Sequence, residues 1–94
     1  MLSLEDCIAL CGLTEEEVLA IAEHEHIPEM AAAEMGNYLV QTPEGEMRIK
    51  AIIRDDIAHA RARGERNREL ALRLVLHHYL EGHPGCEERH APRP

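Results

Sequence analysis

Apolar residues recur at helical spacing along most of the chain. Near the N-terminus they follow the i, i+3, i+4, i+7 pattern of one buried helix face, at Leu4, Cys7, Ile8 and Cys11. This pattern predicts a short helix over residues 3–11. The two thiols on its apolar face are most simply explained as small buried hydrophobic groups.

A second helix is predicted to begin after Thr14. Thr14 and Glu17 have the spacing of a capping box, and the glutamates at 15–17 suit the positive end of the helix dipole. Because a proline disfavours helical conformation in the residue before it, Pro28 should end this helix near Glu25. The first two helices form a hairpin that resembles a helix-turn-helix, but its acidic second helix would repel phosphates. We therefore interpret the hairpin as a packing unit.

The middle of the chain allows two interpretations. Pro28 fits the first turn of a third helix, and strong helix formers follow it over 29–35. Further on, Thr42 and Pro43 suit the N-cap and first residue of a fourth helix. The same Thr-Pro-Glu-Gly sequence also fits the turn of a small β-hairpin near 38–49. The helix is favoured, because the isoleucines that follow keep a helical spacing.

The last helix, predicted over about 65–80, is apolar on two faces. A small domain rarely buries both faces of a terminal helix, so we expect the second face to pack against another copy of the chain. The residues assigned to this interface are Leu70, Leu74 and His78, with Arg61, Arg66 and Arg68 beside them.

Taken together, these segments predict an all-α fold. Its architecture is a compact bundle of four to five short helices in a single domain over 1–82, followed by a C-terminal tail over 83–94. The N-terminus has no basic region of a signal peptide, and no stretch approaches the length of a membrane span. We therefore expect a cytoplasmic protein that makes no membrane contact.

Charge is divided unevenly along the chain. The first 47 residues contain eleven acids and no lysine or arginine, and all ten basic residues follow them. The net charge of −8 disfavours nucleic acid as a partner. We expect the arginines to face the acidic helices, within one chain or across a dimer, and the remaining acidic surface to attract a basic protein partner.

Two carboxylate–histidine pairs are the first candidate for metal chemistry. Glu23 with His26, and Asp56 with His59, have the carboxylate-x-x-His spacing of di-iron helical bundles. Asp56 falls within the apolar stripe of its helix, where a carboxylate is costly unless it is paired. We assign Asp56 and His59 as candidate metal ligands. The simpler explanation is an ion pair of Asp56 with His59 or with an arginine of the last helix.

The tail contains the second candidate metal site. His83, Cys86 and His90 have a spacing that zinc sites use. The simpler explanation is a solvated segment rich in histidine and proline.

Several enzyme classes are disfavoured by what the sequence lacks. Ser3 is the only serine and fits a helix cap, which excludes a Ser-His-Asp hydrolase, and there is no glycine-rich phosphate loop. The preferred hypothesis is a small non-enzymatic interaction or regulatory protein that acts as a homodimer and needs no cofactor. The alternative is a metal-binding helical protein that holds zinc or iron through histidine, carboxylate and cysteine ligands.

Overall fold

The computed structural model describes Ser3 and residues 13–83, and this part of the chain contains four α-helices and no strand. The helices are α1 (Glu15–Glu25), α2 (Glu29–Leu39), α3 (Pro43–Ala62) and α4 (Arg66–Gly82). The predicted all-α class is confirmed, with four helices rather than five in the described residues. Apart from Ser3, the helix expected over 3–11, and with it the hairpin resembling a helix-turn-helix, lies outside them. None of the described helices has the length and apolar content needed to cross a bilayer.

The ends of α1 are set by local hydrogen bonds. The Glu17 N–H donates to the Thr14 hydroxyl at 3.2 Å, and the Thr14 N–H donates to the Glu17 carboxylate at 2.9 Å, so the predicted capping box is confirmed. At the other end, His26 adopts a left-handed conformation with φ of 57°, and its N–H donates to the Ala22 carbonyl. This reversal, followed by Pro28 as the N-cap of α2, turns the chain sharply out of α1.

The β-hairpin considered near 38–49 is wrong. Thr42 is instead the N-cap of α3, where its hydroxyl accepts from the Gly45 N–H at 3.0 Å, and Pro43 is the first helical residue. A proline at this position loses no hydrogen bond, because the first N–H groups of a helix have no helical partner. Gly45 is required sterically, since a Cβ there would lie 1.8 Å from the Leu39 carbonyl oxygen at the end of α2.

The core is aliphatic and lies mainly among α1, α2 and α3. From α4, Leu72 and Tyr79 are buried, and the Tyr79 hydroxyl donates to the Glu46 carbonyl of α3 at 2.8 Å. The turn between α3 and α4 closes at Gly64, whose φ is 73°. The buried apolar residues are Leu13, Val18, Ala20, Ile21, Ala22, Ala32, Ala33, Ile49, Ile52, Ile53, Ala60, Leu72 and Tyr79.

Candidate functional site

A cleft of about 800 Å³ opens where the C-terminal end of α1 meets the second half of α3. The α1–α2 connection, the turn after α3 and the start of α4 complete its walls. Its polar lining residues are Glu23, His24, His26, Asp55, Asp56, His59, Arg63, Glu65 and Arg68. Both carboxylate-x-x-His pairs noted in the sequence therefore lie on one cleft, although they are far apart in the chain.

His24 joins α1 to α3 across this cleft. Its Nδ1 donates to the Glu25 carboxylate at 2.8 Å, and its Nε2 donates to the Asp55 carboxylate at 2.7 Å. A neutral imidazole can donate from one nitrogen only, so two carboxylate acceptors favour the imidazolium form. Burial by itself lowers the pKa of His24. The hydrogen bonds to both carboxylates, with the charge of Asp56 nearby, outweigh burial and raise that pKa above its ordinary value.

Asp56 is the buried carboxylate of the cleft. The residue is 9% exposed, and its Oδ2 is the one buried side-chain oxygen or nitrogen in residues 13–83 that lacks a hydrogen-bond partner. The expected ion pair with His59 or an arginine does not satisfy this oxygen. Burial raises the pKa of Asp56, and although the charge of His24 opposes this effect, the pKa remains above its ordinary value. Such an oxygen in a native fold needs an explanation, because buried polar atoms are almost always satisfied.

The acids of α1 face arginines of the later helices, as the division of charge predicted. Glu23 is in direct contact with the Arg68 guanidinium, and Glu25 lies 3.9 Å from the guanidinium of Arg48. The pairs are partly exposed, so each contributes little to stability. Their effect at the cleft is to fix Glu23 and Glu25 in place beside His24.

His26 and His59 enter the cleft from its rim, and both are exposed. The left-handed conformation of His26 is rare for residues other than glycine, although histidine is among those that tolerate it. His59 follows Asp55 by four positions and Asp56 by three, so all three share one face of α3.

The cleft has suitable ligand types but is not arranged as a closed metal site. Within residues 13–83, no three His, Cys, Asp or Glu side chains already stand where they could hold one metal ion together. A bound ion would therefore require side chains to shift.

PLACEHOLDER The His83 ring stacks on Tyr79 with centroids 4.2 Å apart, and its Nδ1 donates to the Tyr79 carbonyl at 2.9 Å. Its Nε2 faces Glu46, which lies about 15 Å from Asp56 along α3, given the rise of a helix. The structure therefore does not bring His83 together with Asp56 and His59. Cys86 and His90 fall outside the described residues.

The predicted interface residues divide into two groups. Leu70 and Leu74, one turn apart on α4, are 51% and 71% exposed, and we call them the leucine face. His78 continues the same side of α4, where its Nδ1 lies 3.5 Å from the Glu17 carboxylate. Arg61 and Arg66 are exposed as well. Arg68, by contrast, lines the cleft and contacts Glu23.

Sequence reasoning missed His24 and Asp55. The spacing of His24 and His26 showed that they could not point the same way on a helix, and attention then stayed on the i, i+3 pairs. One available signal was that Asp55 precedes Asp56 and lies four positions before His59, a spacing that places two side chains on one helix face. Comparison with protein-family models, with curated proteins and with solved structures returns no match for this chain.

Proposed function

We propose that this protein binds a divalent transition-metal ion, zinc or iron, in the cleft between α1 and α3. The observation that carries the proposal is the buried Oδ2 of Asp56, which has no hydrogen-bond partner and belongs to a cleft lined by imidazoles and further carboxylates. An unsatisfied buried oxygen at such a place points to an ion that the fold is built to receive.

The chemistry of the lining supports this class of metal. Imidazole nitrogen and carboxylate oxygen are ligands for zinc and for iron(II). A dication would also offset the acids that converge here, Glu23, Asp55 and Asp56, which the two arginines of the lining balance only in part. Because these groups belong to different helices, the ion would fasten α1 to α3 and stabilise the folded chain in proportion to its affinity.

Calorimetric titration of untagged, chelator-stripped protein with zinc tests the proposal. We expect saturable binding at one site per chain, lost in Asp56→Asn and weakened in His59→Ala. Cys86→Ser, which alters the tail, is the matched control and should bind as the wild type does. No binding by the wild type, or binding that survives in Asp56→Asn and disappears in Cys86→Ser, would reject the cleft as the site.

A second candidate function is self-association through α4, as a small interaction or regulatory module. The leucine face favours it, because two large apolar side chains one turn apart are left in solvent. In an antiparallel pair of α4 helices, the end bearing Arg66 would meet the end bearing Glu81 of the second copy. Opposite charges would then flank the leucines, which suits a symmetric dimer.

Light scattering coupled to size-exclusion chromatography measures this association directly. We expect a dimer that Leu74→Glu converts to a monomer and that high salt weakens modestly. Tyr38→Glu is the matched control, since Tyr38 is 77% exposed on α2. A wild-type monomer at high micromolar concentration would exclude a dimer on this face.

A further inference from the structure

The surroundings of His24 are those of a metal-binding histidine. In most metal sites, the ligating imidazole donates its second ring N–H to a carboxylate, which fixes the orientation of the ring. His24 has this partner on Nδ1, where Glu25 accepts at 2.8 Å. Glu25 is in turn placed 3.9 Å from Arg48, so the outer carboxylate is itself oriented by a cation. The Nε2 atom is directed at Asp55.

We infer that the metal ion sits between His24 and Asp55, bound by His24 Nε2 and by the carboxylates of Asp55 and Asp56, with Glu25 as the residue that positions His24. This inference rests on the proposed metal-binding function and assigns its ligands. His59, on the same face of α3, is placed to supply a fourth ligand, a position that a water molecule fills in open zinc sites.

The required movement is small. His24 Nε2 and the Asp55 oxygen are now 2.7 Å apart, with a proton between them. Two ligands of a tetrahedral zinc ion lie about 3.3 Å apart, given bond lengths of about 2.0–2.1 Å. The pair must therefore open by about 0.6 Å while the Nε2 proton passes to solvent and the ion takes its place. The Asp55 side chain is half exposed and free to make this adjustment.

Asp56 gives the site its second, independent support. Its residue surface is more than nine-tenths buried, and Oδ2 has no partner in the described structure. It follows Asp55 in α3 and lies close enough to His24 to affect its charge state. An ion held between His24 and Asp55 would supply the missing partner of this oxygen.

The other carboxylate–histidine pair is less suited to the ion. Glu23 is already in contact with Arg68, and His26 lies in the exposed connection after α1. The favoured ligand set, one or two imidazoles with two carboxylates, suits zinc, iron(II) and manganese(II). It does not suit calcium or magnesium, which prefer oxygen ligands throughout.

Titration with cobalt(II), followed by zinc competition, separates these ligand sets. Cobalt(II) reports its coordination through visible absorption. We expect His24→Gln to weaken binding by more than about 100-fold, beyond the usual loss of an outer-shell partner. Glu25→Ala should weaken binding by about 10–100-fold and shift the cobalt spectrum, and Glu25→Gln, which keeps an acceptor oxygen, should fall between Glu25→Ala and the wild type. His26→Asn is the matched control and should retain wild-type affinity.

The outcomes are distinguishable. If the wild type binds and His24→Gln binds equally well, the ligand assignment is wrong although the proposed function stands. Loss of binding in His26→Asn with retention in His24→Gln would place the ion at the other pair. An unchanged affinity and spectrum in both Glu25 variants would remove the positioning role of Glu25. A wild type that takes neither cobalt nor zinc would overturn the inference and the proposed function together. Thermal melting of each variant without metal shows that a loss does not reflect unfolding.

Discussion

Replacing Asp56 with asparagine should make the metal-free protein more stable while it removes metal binding. The carboxylate is buried against the second half of α3, and its Oδ2 has no hydrogen-bond partner in the described structure. Asparagine has nearly the same shape and carries no charge, so burying it costs less. A residue that destabilises the fold in which it is kept is typical of a functional site.

The size of the effect follows from the missing partner. A buried polar group without a hydrogen bond costs about 1–3 kcal/mol. Part of this cost remains in the variant, because the amide N–H group also lacks an acceptor there. We therefore expect a gain of about 1 kcal/mol, which corresponds to a rise in Tm of about 4–8 °C for a domain of this size.

Urea unfolding followed by circular dichroism, near neutral pH and with chelator present, measures the change. With a slope of about 1 kcal/mol per molar urea, the midpoint should rise by about 1 M. The gain should also depend on pH. Because the folded-state pKa of Asp56 is raised, the burial cost is absent below the ordinary value of 3.8 and appears as the pH rises through the folded value. The advantage of Asp56→Asn should therefore shrink as the pH approaches 3.8.

Asp55→Asn is the matched control for this experiment. Asp55 is half exposed and accepts from His24, so its replacement should lower stability by less than about 1 kcal/mol. The reasoning is refuted if Asp56→Asn unfolds at a lower urea concentration than the wild type, since Asp56 would then be paired within the fold.

Two further predictions concern pH and packing. Because the folded-state pKa of His24 is raised, its contribution to stability is complete below the ordinary value of 6.5 and is lost as the pH rises through the folded value. The difference in Tm between the wild type and His24→Gln, in chelator, should thus be larger at about pH 5.5 than at about pH 8.5; an equal difference at both would contradict the imidazolium bridge. Gly45→Ala should lower stability by about 1–3 kcal/mol or more, because the added Cβ meets the Leu39 carbonyl. Gly82→Ala, where the added Cβ meets nothing within 4 Å, should be neutral or slightly stabilising in the same denaturation assay.

The helices were predictable because their signals are local. The capping box of Thr14 and Glu17, and the Thr42-Pro43 start of α3, involve residues within one turn of each other. Such contacts have the same geometry in almost any fold that contains the helix. The alternative hairpin failed because the apolar spacing of the following twenty residues, which form α3, outweighs a four-residue turn signal.

The cleft was predictable only in part, because its contacts join distant segments. The spacing of Asp56 and His59 identified two lining residues, and the same spacing drew attention to Glu23 and His26. It could not show that the two pairs face each other, since that depends on how α1 packs on α3.

The bridge from His24 to Asp55 depends on packing as well. The left-handed turn at His26 ends α1 at the point where His24, in its last turn, faces α3. No rule of local spacing connects residues 24 and 55. The buried state of Asp56 was expected, but the absence of a partner for its Oδ2 was visible only in the packed structure.

Elemental analysis of the untagged protein tests metal binding in the cleft most directly. Purified without added metal or chelator, the wild type should carry close to one zinc, iron or manganese ion per chain, and Asp56→Asn prepared in parallel should carry almost none. Wild-type protein with no stoichiometric metal, which also fails to take up zinc on dialysis, would contradict the proposal. Equal metal in both proteins would place the ion elsewhere in the chain.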